Sequence, residues 1–304
     1  MNYRHAYHAG NFADVLKHLV LALVIDYMKR KDAPFRVIDT HAGCGRYALG
    51  SVQAAKTGEW RGGIGRLLGP DVRPLPQDVA TAMAPYLDAV RSENARPHLE
   101  AYPGSPLIAR RLLRAQDVLA ANELHPEDGA ELKSVLGRDR RVKLLAIDGW
   151  FALKSLLPPK ERRGVVLIDP PFEEEGDLTR LAEGLAEALR RFASGVYVAW
   201  YPIKDLKPIA AFHGALAAIA GPELMRVELM IRGGNTPDRL NGCGLIVANP
   251  PYTLRDDLAV VLPELTHRLA ESSGARHRLD RIPRTARATP AATPRSHKRK
   301  APSR

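Results

Sequence analysis

The segment FRVIDTHAGCGR, residues 35–46, decides the fold. A short apolar run stops on an acid, Asp39, and opens into a turn that carries Gly43 and Gly45. The run is too short for a helix and reads as a β-strand. In a doubly wound α/β sheet the ligand sits outside the carboxyl ends of the strands, where this turn would lie. Glycine at such a place permits positive φ and a close approach of the backbone to a ligand. A Gly-x-Gly turn is also a common plain connection, so the rest of the chain has to discriminate.

Working outward, strand-like runs recur at DVLAANEL (117–124), VKLLAID (142–148), GVVLID (164–169), GVYVAWY (195–201), LMRVELMI (224–231) and GLIVANP (244–250). Helical stretches such as SPLIARRLLRAQ, PEDGAELKSVLGR and LTRLAEGLAEALRRF separate most of them. Strands alternating with helices predict a parallel α/β sheet covered on both faces. With FRVID the total is seven strands. The last two are joined by RGGNTPDRLNGC, which has no helical pattern, so a hairpin is expected and the final strand should run antiparallel. Upstream, NFADVLKHLVLALVIDYMKRK (11–31) has helix logic, with Asn11 or Asp14 at its start and Lys29, Arg30 and Lys31 at its end. Residues 52–100 are charged and Ala-rich without a strand-like run, and predict a small inserted helical subdomain. The expected division is a Rossmann-like domain of residues 1–51 and 101–273, the insertion 52–100, and a basic tail 274–304.

Three successive strands end in an acid at one edge. Asp39 closes the first, Glu123 the second, and Asp148, followed by Gly149, the third. An acid after the second strand suits two ribose hydroxyls, and one after the third suits an adenine amino group. The constellation predicts an adenosine-containing cofactor. A pyrophosphate cofactor would favour G-x-G-x-x-G opening a helix. Here Arg46 and Tyr47 follow Gly45, which fits S-adenosylmethionine better than NAD.

Two stretches could carry the chemistry, LIDPPF at 167–172 and VANPPY at 247–252. The fourth strand lies beside the first, so Asp169 opens onto the cofactor. The antiparallel final strand sends Asn249-Pro250-Pro251-Tyr252 to the opposite rim. Asp169 is therefore the expected catalytic residue. An exocyclic amine conjugated to a purine is a poor nucleophile. The Asp169 carboxylate and the Pro170 carbonyl can accept its two N–H hydrogens and stabilise the charge that develops on transfer. Pro170 and Pro171 stiffen the loop, and Phe172 offers a face on which an extruded base can stack.

Composition bounds the rest. At 304 residues with 45% hydrophobic side chains, the chain has ample material for a core. Its longest apolar run, LVLALVI (19–25), is far short of a membrane span, and no signal-peptide pattern opens the sequence. Two cysteines, Cys44 and Cys243, have neither disulfide nor metal spacing, so no metal is expected. A reduced, cytoplasmic setting follows. Of the net charge of +11, the tail supplies +9, from eight Arg and two Lys against one Asp. Its poverty in large apolar residues predicts disorder, and its charge suits a non-specific electrostatic arm for polyanions.

The chain resembles the RlmJ family, the bacterial 23S rRNA (adenine-2030-N6)-methyltransferases. The resemblance rests on YRHAYHAGNFADVLKH (3–18), DTHAGCGRY (39–47), YPGSPLIAR (102–110), NELHP (122–126), DGW (148–150), LIDPPF (167–172) and WYP (200–202), and spans about residues 1–265. It implies a class I S-adenosylmethionine-dependent fold, a monomer, and 23S rRNA, free or precursor, as partner, with no membrane. Position by position it implies cofactor contacts at His18, His41, Ser105, Glu123, Asp148, Gly149 and Asp169, with Asp169 also the proton acceptor. The reading of the glycine turn adds Gly43 to the expected cofactor contacts. It implies RNA contact through the N-terminal segment, at Tyr3, Arg4 and Lys17. Taken alone, His18 reads as a core or boundary residue, Ser105 as a helix cap and His41 as lining of the turn. Family members often have Tyr where Phe172 stands, which keeps stacking and loses a hydroxyl. A DNA adenine methyltransferase would need a larger target-recognition domain than 52–100. A protein-glutamine methyltransferase would need Asn249 as its site, and a cytosine C5 enzyme a cysteine near the fourth strand. A non-catalytic RNA-binding protein of the same fold would show eroded acids, and these are intact.

Overall fold

The computed structural model describes residues 4–94, 98–219, 221–233 and 239–283. A 3-10 turn, His5–Tyr7, precedes helix α1 (Phe12–Met28). Strand β1 (Arg36–Asp39) leads through the glycine turn into β2 (Arg46–Ala48). There follow α2 (Val52–Thr57), a 3-10 turn at Glu59–Gly62, α3 (Gly65–Leu68) and α4 (Gln77–Arg91), and then β3 (Ala101–Pro103). Helix α5 (Ser105–Leu112), β4 (Val118–Asn122), α6 (Pro126–Leu136), β5 (Val142–Leu145) and α7 (Gly149–Ser155) come next. The chain continues through β6 (Gly164–Ile168), α8 (Asp177–Arg191), β7 (Val196–Ile203) and α9 (Leu206–Ala217). It closes with β8 (Leu224–Met230), β9 (Gly242–Ala248), α10 (Leu254–Leu269) and β10 (Arg276–Arg281).

Eight strands form one sheet in the order β10-β8-β9-β7-β6-β1-β4-β5, and β2 pairs with β3 in a separate ribbon. β5, β4, β1, β6 and β7 are parallel neighbours. The chain winds outward from β1 first through β4 and β5, then through β6 and β7. The order therefore reverses between β1 and β6, which makes their carboxyl ends the switch point where ligands bind. β9 is antiparallel to both β7 and β8, as the hairpin required.

Both faces of the sheet are covered, so its strands are apolar on both sides. Along β6, Val165 and Leu167 enter one core while Val166 and Ile168 enter the other. The first core receives α1, α4, α5, α6 and α10, and the second α7, α8 and α9. Helix α1 is buried almost all round, from Val15 and Leu16 to Ile25, because α4, α5 and α10 surround its outer side. Asn11 caps it, accepting from the Ala13 and Asp14 amides at 2.9 and 3.0 Å. The regular structure described between β2 and β3 is helical, and Met83 and Tyr86 of α4 are fully buried in the first core.

Two features depart from expectation. The β2–β3 ribbon, three residues on each side, was not foreseen. More consequentially, the tail expected to be structureless from 274 contributes β10, antiparallel to β8 along Arg276–Arg281. Charge patterning failed to show this strand because two of its charged residues are used in pairing. Arg226 of β8, only 5% exposed, donates to Asp280 through Nε and Nη2 at 2.8 and 2.7 Å. Residues 284–304 lie outside the described residues. Asp280→Ala leaves Arg226 buried without its carboxylate and should lower stability by about 3 kcal/mol, read as a fall in urea midpoint. A truncation after residue 273, which also removes β10 and the buried Ile282, should lose at least as much.

Candidate active site

At the carboxyl edge, β1 delivers Asp39, which is 1% exposed. Its Oδ2 accepts from Ser105 Oγ at 2.6 Å and its Oδ1 from the His41 amide at 3.4 Å. Burial pushes the Asp39 carboxyl up to about 7 against the opposing Ser105 bond, and the nearby Asp169 charge adds to the rise. Ser105 is the first residue of α5, and Gly104, not Ser105, occupies the cap position. Its hydroxyl is therefore committed to the strand-end acid and not to capping.

The turn itself is organised by Glu123. Its Oε2 accepts from the Gly43 amide at 2.7 Å and its Oε1 from the His125 amide at 2.8 Å. Gly43 has φ +61°, and a Cβ there would stand 2.2 Å from the Tyr47 hydroxyl. Burial raises the Glu123 carboxyl above its ordinary range. Asn122, one residue earlier, ties three strand ends together. It donates to the Thr40 and Ile147 carbonyls at 3.0 and 2.8 Å and accepts from the Ile147 amide at 3.1 Å.

Asp148 caps α7, accepting from the Phe151 amide at 2.8 Å, and its other oxygen lies 3.9 Å from Arg180 Nη2. Gly149 sits against the His41 ring, where a Cβ would come within 2.3 Å of Nε2. His41 bonds Thr40 Oγ1 through Nδ1 at 2.9 Å, and burial drops it to about 4. His18 is 1% exposed, pairs through Nδ1 with the Tyr102 hydroxyl at 2.8 Å, and is lowered by burial to about 3. Both imidazoles are thus neutral, and a contact from His18 to a ligand falls to its Nε2, 4.0 Å from Asp14 Oδ1.

β6 delivers Asp169 to the switch point. Its Oδ2 accepts from Lys17 Nζ at 2.5 Å, and Lys17 also reaches Asp14 Oδ1 at 2.9 Å. Burial alone would discharge Lys17, but the two carboxylates outweigh it and hold the ammonium above the ordinary lysine value. Lys17 is 4% exposed. That corrects its expected place among outward-facing RNA contacts: it belongs to the floor of the site. Arg4 bonds Glu127 at 2.7 Å at the surface, and Tyr3 lies outside the described residues. Pro170 is buried, Pro171 and Phe172 half-buried. Phe172 has φ +53° and meets the Trp200 ring edge-on at 5.5 Å. A left-handed aromatic residue is strained, and such strain concentrates at ligand sites. Lys17 Nζ lies 5.8 Å from the Trp200 ring centroid.

The rival motif is at the opposite edge. Asn249 ends the antiparallel β9 and spends its amide on the Ala193 and Gly195 carbonyls, both at 2.8 Å. Neither thiol is available as a nucleophile: Cys44 and Cys243 are buried, and burial pushes Cys44 up to about 12. Among the described residues no group of three or more His, Cys, Asp or Glu gathers as a metal site, and no helix is long and apolar enough to cross a membrane.

Residues 32–281 match the family model described as "Ribosomal RNA large subunit methyltransferase D, RlmJ". The chain belongs to the RlmJ family. A relative from Escherichia coli K12, named ribosomal RNA large subunit methyltransferase J, is 42% identical over 88% of this chain and 94% of its own. Its namesake from Haemophilus influenzae is 40% identical over 90% and 96%. A crystal structure of a Legionella pneumophila protein superposes with TM-score 0.81 at 32% identity, covering 90% of this chain and 98% of that one. Family membership makes the chain a methyltransferase with a Rossmann-like fold, so the carboxyl edge is read as a methyl-transfer site. Sequence reasoning on the residues alone reached Asp39, Glu123, Asp148 and Asp169. It named Asp14 only as a possible helix start and missed Asn122. Because α1 also carries Lys17, His18 and Asp26, a charge within the helix did not single Asp14 out.

The raised Asp39 gives a pH test. Between about 4 unfolded and about 7 folded, the native state holds more protons on this group than the unfolded state. Its contribution to stability is therefore lost as pH rises through that window. Asp39→Asn removes this loss, so the melting temperature of the variant relative to the unsubstituted chain should rise from pH 4 to pH 7.5. A difference that stays flat in calorimetry would show an unperturbed Asp39.

Proposed function

We infer that the chain transfers the methyl group of S-adenosylmethionine to N6 of an adenine in large-subunit ribosomal RNA, of the 23S position-2030 type. The observation that carries this reading is the Asp169-Pro-Pro-Phe172 end of β6 beside β1, with its carboxylate seated on Lys17. The names of the two curated relatives support the RNA class. The resemblance further implies a cytoplasmic monomer acting on free or precursor RNA.

The residues fit this cofactor better than a dinucleotide. After β1 the chain enters strand β2, so no helix N-terminus faces a phosphate there. The surrounding side chains, Asp39, Glu123, Asp148 and Asp169, are acids, which repel a pyrophosphate and favour a sulfonium. Glu123 would take the ribose hydroxyls, Asp148 and Gly149 the adenine, and His41, Gly43, Ser105 and His18 the remaining wall. When bound, the cofactor supplies an electrophilic methyl group.

The chain's own part is to hold the amine. Lys17 occupies Asp169 Oδ2, and among the described residues no hydrogen bond occupies Oδ1. Oδ1 is free to accept one amine hydrogen while the Pro170 carbonyl accepts the other. That pair orients the nitrogen lone pair and stabilises the charge developing on it. Phe172 and Trp200 form the aromatic wall for the base. The departing proton passes to Asp169 and then to water.

Asp169→Ala should lower N6-methyladenosine formation on a 23S rRNA transcript by at least about a thousandfold, with cofactor binding still measurable by calorimetry. Undiminished methylation, mapped by mass spectrometry, would remove Asp169 from the mechanism. Asn249→Ala should keep kcat within about threefold once folding is verified, because its amide serves a strand turn. Methylation of duplex DNA in preference to the transcript would move the substrate to DNA.

A further inference from the structure

The mouth of the site is divided by charge. On one side lie Glu123, Asp148 and Asp177, with Arg180 3.9 Å from Asp148 as a lone cation among them, together with the exposed run Glu173, Glu174 and Glu175 directly after Phe172. On the other lie five exposed cations, Lys56, Arg61, Lys204, Lys207 and Arg239. Topology puts these five at the same edge. Lys56 and Arg61 belong to the insertion that leaves the end of β1, Lys204 and Lys207 follow β7, and Arg239 lies in the β8–β9 connection.

Contacts link them into one arc. Lys56 Nζ is 5.8 Å from the centroid of the Tyr7 ring, and Thr57 Oγ1 donates to the Tyr7 carbonyl. His8, the next residue, bonds Glu59 at 2.9 Å and feels the charge of Lys204. The Lys204 carbonyl accepts from Asn241 Nδ2 at 2.8 Å, two residues beyond Arg239. Arg61 packs over Trp60 at 4.9 Å. The acids within the arc are engaged: Glu59 by the His8 and Asn11 side chains, Asp205 by the Lys207 amide. Among the described residues none of the five cations comes within 4.0 Å of a carboxylate. Elsewhere exposed arginines divide: Arg278 pairs with Asp280, Arg281 with Glu223 and Arg191 with Glu187, whereas Arg111, Arg138, Arg140, Arg162 and Arg255 are also exposed and outside the ion pairs. It is the clustering at one edge that sets the five apart.

A solvated row of cations is ordinary on a protein surface. Its continuity at the mouth, and its separation from the acids, select a polyanion. We propose that Lys56, Arg61, Lys204, Lys207 and Arg239 form the track on which the RNA phosphates flanking the target nucleotide lie. The strand then crosses from the inserted helices to the β8–β9 connection and is turned away from the Glu173–Glu175 side. This rests on the reading that the substrate is RNA. Lysines and exposed arginines on loops act here as point charges on phosphates, so they give affinity and register and carry no base readout.

The test uses the full chain carrying Lys56→Ala, Lys204→Ala and Arg239→Ala together, with Lys31→Ala at the opposite edge as control. RNA affinity is measured by anisotropy on a 23S rRNA transcript over a range of NaCl concentrations, beside steady-state methylation. Each lost phosphate contact removes about 0.7–0.9 from the slope of log affinity on log salt. The triple variant should therefore lose about two units of slope and show a KM for RNA raised at least about tenfold, with kcat and cofactor binding within about twofold. The Lys31→Ala chain should match the unsubstituted one. A triple variant with unchanged KM and slope overturns the track, as does one that loses kcat alone. If the unsubstituted chain methylates no RNA, the functional reading fails and the track with it. If it methylates RNA and the triple variant is indistinguishable from it, only the track fails.

Discussion

Lys17 is the joint on which the site depends. Helix α1 is apolar nearly all round because it is packed on every side, yet Asp14, Lys17 and His18 occupy consecutive turns of one stripe. Residues three and four apart share a helix face, so a single stripe of polarity is turned toward the strand ends. The Lys17 ammonium then spans Asp14, 2.9 Å away on its own helix, and Asp169, 2.5 Å away at the end of β6. Ionic contacts of this kind repay little more than the desolvation they incur. What they give is position: removing Lys17 would leave Asp169 without its ammonium and Asp14 with the His5 ring, 2.9 Å from its Oδ2. The helix is thereby registered to the strand that ends in Asp169.

The acids around the switch point form a second constraint. Asp39, Glu123 and Asp169 would repel one another if all were ionised in a dry pocket. The structure answers that tension differently at each site. Asp39 takes a hydroxyl and is raised by burial to about 7, Glu123 takes two backbone amides and is still raised, and Asp169 takes an ammonium. Perturbed carboxyls concentrated at one strand edge mark a site built for a ligand and not for stability. A cationic ligand relieves the tension, and an anionic one would deepen it.

Much of this was legible in the residues. Runs such as GVVLID and VKLLAID, buried on both faces or flanked by helices, announce parallel strands, and the acids that end them announce the ligand edge. What stayed hidden has physical reasons. β10 reads as a charged tail because an edge strand needs only one face apolar, and its charges are absorbed by Arg226 and by Arg278 with Asp280. The β2–β3 ribbon is too short for periodicity to show. Lys17 looked like a surface cation because its neutralisers are split between its own helix and a residue far along the chain. Ser105 looked like a cap because a hydroxyl beside a helix start usually is one, and its true partner, Asp39, is adjacent only in three dimensions.

The two proline pairs show why motif and meaning come apart. Both follow a buried strand, and in both Pro ends the ladder because it has no N–H to donate. Each motif also contains one strained left-handed residue, Phe172 in the first and Asn249 in the second. In the second, the strained residue is the polar one, and its amide turns back to cap the approach to β7. In the first, the aromatic residue takes the left-handed conformation, and the acid at the strand end meets Lys17. Strand direction does the remaining sorting. β6 runs parallel to β1 and ends beside the glycine turn, whereas β9 runs the other way and ends on the far rim. The same four-residue chemistry, carried to the wrong edge by one reversed strand, becomes a turn.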